Sequence, residues 1–326
     1  MKCLTFLLLC AAFPPGGFGQ NASANTIVGM GYLYPEPVTV APGQLITVFV
    51  QGNVQGNISA TLRQTSDYAA PVLAVRPAPD CTIAPATPCA SVTAITIQIP
   101  YEIELPCLAC PIPYPPSPGR PSPQLFVTAN GVAGALFELS PLTDRVHILT
   151  ACDTVVPGGS GYPPCWPLVT HADGSLVASG SPAYGGEEIV AYAVGLGPTT
   201  PAVPTGRAAA TATPTSETFL LDFNFRPNAL ATQPLQPFPI IINGAWPIPS
   251  SPLIRPATDG LPSGPLFSGL VAGYVGLYQI NFVVPQVPVG IEACSFGTIQ
   301  SNLTVSVGGL NSFDGAGICI TPSAAI

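Results

Sequence analysis

The chain has 326 residues, of which 7% are charged and 47% are apolar. The apolar fraction is ordinary for a folded protein, so the composition excludes an intrinsically disordered chain, and the length fits about two domains. Lys2 is the only lysine and the formal net charge is −8. This balance argues against partners that are bound through clustered cations, namely nucleic acids and anionic membrane surfaces.

The N-terminus predicts a signal peptide. Lys2 is followed by an apolar stretch over residues 4–13 and then by small residues, which is the order of a secretory signal. The stretch is too short to span a bilayer, and no later segment is long and apolar enough to do so. We expect cleavage after Gly19 or after Ala24, so residues 1–24 would be removed. The mature protein would be secreted to the extracellular space or the cell surface.

Short apolar segments predict an all-β protein. In most of them β-branched and aromatic residues alternate with polar ones, and proline and glycine lie between the segments. The regular spacing predicts antiparallel β-sandwiches with long Pro/Gly-rich loops, of which residues 105–123 and 198–216 are the longest. In chain order, the predicted strands cover residues 45–50, 95–99, 124–128, 168–172, 175–178, 188–194, 219–225, 240–242, 277–284 and 303–307.

Three strand motifs recur in the same order in the two halves of the chain. The matching pairs are residues 41–50 with 184–193, 95–102 with 280–286, and 125–131 with 303–309. We therefore predict two sandwiches on one plan, over residues 25–145 and 184–326, joined by a connecting segment over residues 146–183. Within that segment, Asp173 and Gly174 predict a hairpin with a type I′ turn, in which both central residues take positive φ.

The cysteines predict a disulfide-bonded protein. Cys3 and Cys10 fall in the signal peptide, and an even number in the exported part implies disulfides. Sequence alone does not choose among the many possible connectivities. The simplest is sequential: Cys81–Cys89, Cys107–Cys110, Cys152–Cys165 and Cys294–Cys319.

The spacing of Cys107 and Cys110 also fits redox and zinc sites. The pair lies in a proline-rich loop, whereas redox pairs begin a helix after a strand. No second CxxC and no suitably spaced histidine pair follows to complete a zinc site. A structural disulfide is therefore favoured, and no metal or cofactor is predicted.

Several longer strings resemble a known family. They lie at residues 40–45 (VAPGQL), 97–102 (IQIPYE), 171–177 (HADGSLV), 192–198 (YAVGLGP) and 269–281 (GLVAGYVGLYQIN). Together they resemble the uncharacterised secreted acidobacterial family that carries the Solibacter-type C-terminal domain. The resemblance implies two tandem immunoglobulin-like domains and brings no enzymatic activity with it. The eight cysteines that follow the predicted signal peptide and the Pro-rich insert at 105–123 depart from the family.

The residues that could support catalysis do not form a recognisable motif. His147 and His171 are the only histidines, and the glycines and serine at 158–161 lack the spacing of a nucleophile elbow. Glycosidases need two carboxylates that face each other across a cleft. The candidate acid pairs are Glu102 with Glu104, which flanking prolines place in an exposed loop, and Glu187 with Glu188. We predict that the protein is not an enzyme.

These observations favour a non-enzymatic structural, adhesion or assembly module at the cell surface. Open sheet edges would let it associate with itself or with other proteins. The alternative is a carbohydrate-binding module, in which loop aromatics stack on sugar rings and a surface polysaccharide is the partner. The candidate stacking residues are Trp166, Trp246, Tyr114 and Tyr162, with Tyr184 in a similar glycine-rich setting.

Overall fold

A computed structural model describes the protein over residues 25–32, 39–77, 92–105, 122–156, 165–225, 264–294, 301–308 and 315–322. These residues form strands, turns and loops and contain no helix, which confirms the all-β prediction. The strands are β1 (Ile27–Gly31), β2 (Leu45–Gln51), β3 (Ile58–Arg63), β4 (Asp67–Ala70), β5 (Val72–Pro77), β6 (Val92–Gln98), β7 (Gln124–Ala129), β8 (Val132–Ala133), β9 (Phe137–Glu138), β10 (His147–Ile148), β11 (Val169–His171), β12 (Glu188–Val194), β13 (Thr213–Pro214), β14 (Leu221–Asn224), β15 (Phe267–Leu270), β16 (Tyr278–Val283), β17 (Leu303–Val307) and β18 (Gly315–Ile318).

The N-terminal half is an antiparallel sandwich of two sheets. One sheet has the order β1-β2-β6-β5, and the other has the order β4-β3-β7-β8 with β9 also on β7. The chain passes from one sheet to the other at Pro71, between β4 and β5. Inward-facing side chains of both sheets, such as Val48, Ile97, Leu62 and Val127, fill one core. The alternation of apolar and polar residues in these strands therefore corresponds to their inward and outward faces.

The C-terminal half is a second sandwich. Its larger sheet has the order β10-β12-β16-β15-β13 with β11 on β12, and its smaller sheet has the order β14-β17-β18. Ile189, Ile280 and Phe282 of the larger sheet pack against Leu221 and Val305 of the smaller one. Strands β2 and β6 of the first half, and β12 and β16 of the second, are central antiparallel pairs. The repeated motifs 41–50 and 95–102 therefore lie on the central strands of the first half, and their counterparts 184–193 and 280–286 lie on the central strands of the second half.

Strand β2 is buried on both of its faces. Val48 and its alternate neighbours point into the N-terminal core, yet Leu45, Thr47 and Phe49 between them are also buried. A sheet with one solvated face would expose those alternate residues, whereas a strand covered on both sides has a nearly continuous apolar run. The second face is covered by the C-terminal sandwich.

The two sandwiches meet where the outer side of the sheet that contains β2 contacts the end of β12 that carries Tyr192 and Val194. On β12, Tyr192 and Val194 point toward the N-terminal half while Ile189 and Ala191 point into the C-terminal core. We call this contact the joint, and its buried apolar residues are Tyr32, Leu45, Leu149 and Val194, with Val155, Val156, Leu168, Tyr192 and Leu277 packed against them.

Residues 146–183, predicted as a connecting segment, contribute to the C-terminal sandwich. They supply β10 and β11, which pair with β12. Val146, Val169 and Ala183 belong to the C-terminal core. Ala183 also forms a parallel bridge to Ile320 at the other end of the half.

The hairpin at residues 171–175 differs from the predicted turn. Asp173 does not take a positive φ, and Gly174 does, at 85°. His171 N donates to Ser175 O (2.9 Å) and Gly174 N donates to His171 O (3.0 Å), so three residues form the loop. Such a loop needs only one residue in the left-handed region, and the Asp173 carboxylate accepts a hydrogen bond from Ser175 N to stabilise it.

The other predicted strands agree with the structure to different degrees. Strands β12 and β17 have the predicted bounds, whereas β14 begins at Leu221, two residues later than predicted. A type I′ hairpin does occur at Asn130 and Gly131, which both have positive φ, between β7 and β8. The predicted strand at 240–242 and the predicted signal peptide at 1–24 lie outside the described residues.

Candidate functional site

The aromatic residues proposed for ligand stacking are only partly described. Trp166 is half-buried, and its carbonyl accepts a hydrogen bond from Ala151 N (2.8 Å). Tyr184 is 60% exposed. The other candidates lie outside the described residues; they are Trp246, Tyr114 and Tyr162.

Two disulfides are present in the described part of the chain. Cys152 is bonded to Cys165, and Cys294 is bonded to Cys319. Both pairs follow the sequential connectivity. The first ties the segment before Thr154 to the start of β11, and the second ties the loop after β16 to the end of β18. The remaining cysteines, Cys81, Cys89, Cys107 and Cys110, lie outside the described residues.

His171 lies in a cluster that looks at first like a catalytic triad. Its Nδ1 is 2.5 Å from Glu187 Oε1, and its Nε2 is 3.3 Å from Ser181 Oγ. The Ser181 carbonyl oxygen, however, is closer to Nε2, at 3.1 Å. A carbonyl oxygen only accepts hydrogen bonds, so Nε2 carries a proton and donates it there. A protonated Nε2 cannot take the serine proton, which is the step that a triad requires.

The electrostatics of the cluster agree with this protonation state. The hydrogen bond to Glu187 is the main cause that raises the pKa of His171 above its ordinary value, partial burial opposes it, and the Ser181 carbonyl and Asp173 add to it. With both ring nitrogens engaged, His171 is a structural residue. It holds three pieces of chain together: the end of β11, the bridge at Ser181 and the turn that begins at Tyr184.

Glu187 closes that turn with two hydrogen bonds to Tyr184, one from its backbone and one from its side chain. Glu187 N donates to Tyr184 O (3.0 Å), and the free oxygen of the Glu187 side chain accepts from Tyr184 N (3.0 Å). Gly185 and Gly186 lie between them, so Tyr184 is presented on a short, fixed loop. We call residues 184–187 the pinned turn.

His147 has a different role, at the joint. Its Nε2 is 2.9 Å from Asp153 Oδ2, and the same oxygen accepts from Thr150 N at 2.6 Å. The imidazole ring stacks on the ring of Tyr32, with centroids 3.7 Å apart and planes 7° from parallel. Because Tyr32 belongs to the N-terminal sandwich, His147 contributes to the contact between the halves.

Hydrogen bonds between polar groups also connect the two sandwiches. The hydroxyl of Tyr101 is 3.0 Å from that of Tyr278, and Gly206 N donates to Gln98 Oε1 (2.6 Å). Tyr101 N donates to Thr205 Oγ1 (2.9 Å). Thr205 and Gly206 lie in the long loop over residues 198–216, which contacts the N-terminal sandwich at this point. The small polar residues of this loop are typical of a solvent-exposed connection. Its contact with the N-terminal sandwich depends on Gln98 and Tyr101, which are distant in the sequence.

The two acidic pairs do not form paired carboxylates. Glu102 accepts from Thr205 Oγ1 (2.7 Å) and Glu104 accepts from Thr65 Oγ1 (2.6 Å), so the two are bound to different segments. Glu187 faces His171, while its neighbour Glu188 is exposed and accepts from Asn281 (3.3 Å). Adjacent strand residues point to opposite faces, which separates the second pair.

Comparisons with known proteins add no identification: no family model, curated protein or solved structure matches the chain. Within the described residues, no group of three or more His, Cys, Asp or Glu side chains is placed to hold a metal ion. The same residues include no helix with the length and apolar character needed to cross a membrane.

Proposed function

We propose that the protein is a non-enzymatic exported module that acts as a rigid structural and assembly element at the cell surface or in the extracellular space. Membership of the secreted acidobacterial family, and the immunoglobulin-like character of each sandwich, are part of the same proposal. It rests on the signal-like N-terminus, on the disulfides, and on the hydrogen bonds that polar side chains of the described residues form within the chain.

The proposal rests chiefly on the hydrogen-bond partners of the histidine and glutamate side chains. His171 donates from Nε2 to a carbonyl, and His147 is bound to Asp153 under the ring of Tyr32. Glu102 and Glu104 bind threonine hydroxyls. A general base needs a lone pair directed at a substrate. These groups instead bind neighbouring parts of the chain, and several of them fix one sandwich to the other.

The pinned turn provides an apolar surface for assembly. Tyr184 is exposed, and so are Val283, the last residue of β16, and Val289 in the loop after it, which is 79% exposed. The pinned turn is adjacent to the chain that leaves β16, because Gly186 N donates to Val284 O (2.8 Å). Exposed apolar residues that cluster on a fixed scaffold are typical of interaction sites. The partner we propose is a second copy of the chain, since a two-fold contact covers the same side chains on both copies.

Sedimentation velocity of the mature protein over a range of concentrations tests this proposal. We expect concentration-dependent association that Val289→Asp abolishes, because a charge in an apolar contact loses its hydration. Val132→Asp is the matched control, since Val132 is 56% exposed on the N-terminal sandwich. The proposal is wrong if the wild type stays monomeric at every concentration, or if both variants weaken association equally.

The exposure of Tyr184 also favours the alternative, a carbohydrate-binding module. A tyrosine ring on a fixed, glycine-flanked turn can stack on a sugar without losing much conformational entropy. Co-sedimentation with insoluble polysaccharides such as cellulose, chitin and xylan would reveal it. Binding should fall with Tyr184→Ala and persist with Tyr274→Ala, which removes an equally exposed tyrosine (58%). No binding by the wild type, or equal loss in both variants, would exclude Tyr184 as a sugar platform.

A further inference from the structure

A short segment of the C-terminal half reaches across the joint to the N-terminal sandwich. We call residues 150–156 the joint segment. Thr154 N donates to the Tyr32 carbonyl (2.7 Å), and Thr154 Oγ1 is bound to the same carbonyl and lies 2.6 Å from Thr47 Oγ1. Val155 and Val156 pack into the apolar cluster of the joint. The segment therefore binds the N-terminal sandwich through both hydrogen bonds and apolar contacts.

The same segment is held to the C-terminal sandwich by the Cys152–Cys165 disulfide. Cys152 is fully buried, two residues before Thr154. Cys165 leads directly into the stretch before β11, where Ala151 N donates to Trp166 O (2.8 Å). Val169, the first residue of β11, belongs to the C-terminal core. The disulfide thus links the joint segment covalently to a strand that is anchored in the second sandwich.

We propose that the Cys152–Cys165 disulfide is a redox-sensitive clamp that keeps the two sandwiches docked, and that its reduction loosens the joint while each sandwich stays folded. A covalent link limits the conformations available to the segment when it detaches, so detachment is less favourable while the link is intact. The inference does not depend on the proposed function.

The opening reaction is thiol–disulfide exchange with a dithiol. A thiolate of the dithiol attacks the Sγ of Cys165, which is half-buried whereas Cys152 is fully buried, and the S–S bond breaks to leave the thiolate of Cys152. The second thiol of the reagent then displaces Cys165 and closes a cyclic disulfide. The protein gains two electrons and two protons as two free thiols, and the dithiol is oxidised by the same amount.

Trypsin offers a specific probe of the joint because the sequence contains few cleavage sites. Lys2 is the only lysine, and four of the arginines precede proline, where trypsin does not cut. The remaining sites are Arg63, Arg145 and Arg207. Arg145 lies on the crossover between the two sandwiches, and Arg207 follows Gly206, which is bonded to Gln98 across the joint. Arg63 lies in β3 of the N-terminal sandwich and serves as an internal control.

The experiment compares the double variant Cys152→Ser/Cys165→Ser with Cys294→Ser/Cys319→Ser, in which the second disulfide, remote from the joint segment, is removed. We expect cleavage at Arg145 and Arg207 to be accelerated about tenfold or more in the first variant, since cleavage follows the population of the opened state, with Arg63 unchanged. The second variant should be cleaved like the wild type. A dithiol should accelerate the wild type and leave the first variant unaffected.

A second variant keeps the proposal testable if the first does not fold. Thr154→Val retains the disulfide and the backbone bond from residue 154 N to the Tyr32 carbonyl, and it removes the hydroxyl bonds of Thr154 to that carbonyl and to Thr47. We expect it to accelerate the same two sites, with little further effect of a dithiol. The clamp is excluded if both cysteine-pair variants behave alike, if Arg63 is accelerated with the other sites, or if a dithiol accelerates Thr154→Val as much as it does the wild type.

Discussion

The hydroxyl groups of Tyr101 and Tyr278 lie 3.0 Å apart, although the two residues belong to different sandwiches. Tyr278 Oη also donates to the carbonyl of Gly197 at 2.5 Å. A phenol has one proton to donate, so Tyr101 is the donor in the bond between the tyrosines. This chain of two hydrogen bonds connects the surface of the N-terminal sandwich to the core of the C-terminal one.

Replacement of Tyr278 by phenylalanine should destabilise the protein. The variant leaves the Gly197 carbonyl without this donor in a buried site and removes the acceptor of the Tyr101 hydroxyl. An unsatisfied buried polar group costs about 1–3 kcal/mol. Urea unfolding should show a loss of that size for Tyr278→Phe and a change within about 0.5 kcal/mol for Tyr274→Phe at an exposed position. Equal stability of the two variants would contradict this account of the tyrosine pair.

The same tyrosines should make the protein sensitive to alkaline pH. Burial raises the pKa of Tyr101 and raises that of Tyr278 well above its ordinary value. The folded state therefore keeps protons that the unfolded state releases above about pH 10. The stabilisation is complete below that pH and is lost as the pH rises toward the folded-state pKa values. Urea midpoints between pH 8 and 11 should fall more steeply for the wild type than for Tyr278→Phe, and parallel curves would refute the assignment.

The pair formed by His171 and Glu187 predicts a second pH dependence, and the pKa of His171 can be measured directly. The folded-state pKa of His171 is raised, so its contribution to stability is complete below about pH 6.5 and is lost as the pH rises through the folded-state value. Because the chain has two histidines, NMR titration of their ring protons can follow each one. Glu187→Gln should lower the pKa of His171, whereas Glu188→Gln should leave it in place. A pKa of His171 that is indifferent to Glu187→Gln would show that the pair does not form.

Gly43 and Gly174 provide a matched test of the packing of Tyr101. Both have positive φ, 75° and 85°, so alanine at either position is strained by about 1–2 kcal/mol. A Cβ at Gly174 would meet open space, whereas one at Gly43 would overlap the ring of Tyr101. Overpacking adds about 1–3 kcal/mol. Gly43→Ala should therefore reduce the unfolding free energy more than Gly174→Ala, and an equal reduction would mean that Tyr101 does not cover Gly43.

The sequence predicted the parts of the fold that depend on local pattern. The predicted bounds of β17 agree with the structure because apolar Leu303, Val305 and Val307 alternate with polar residues, and those of β12 agree because a continuous apolar run follows Glu188. The run of apolar residues around Thr47 indicates cover on both faces, since a strand with one solvated face would alternate. The hairpin at Asp173 was located correctly, but its turn type depends on backbone angles that the Asp-Gly pair alone does not determine.

The contacts that build the joint could not be predicted in this way. Gln98 and Gly206 are far apart in the chain, and nothing in either local pattern indicates the other. The same holds for Tyr101 and Tyr278. For His171, no local pattern indicates a partner, and Glu187 reaches it because β11 pairs with β12.

An engineered disulfide across the joint tests the contact between the two sandwiches most directly. Thr47 and Thr154 belong to different halves and their hydroxyl oxygens are 2.6 Å apart, which places their side chains within reach of a disulfide. In the oxidised double variant Thr47→Cys/Thr154→Cys, mass spectrometry of unreduced peptides should find residues 47 and 154 linked, with the native pairs intact. The single variants provide the controls. A folded double variant that keeps both new thiols free would contradict this contact between the two sandwiches.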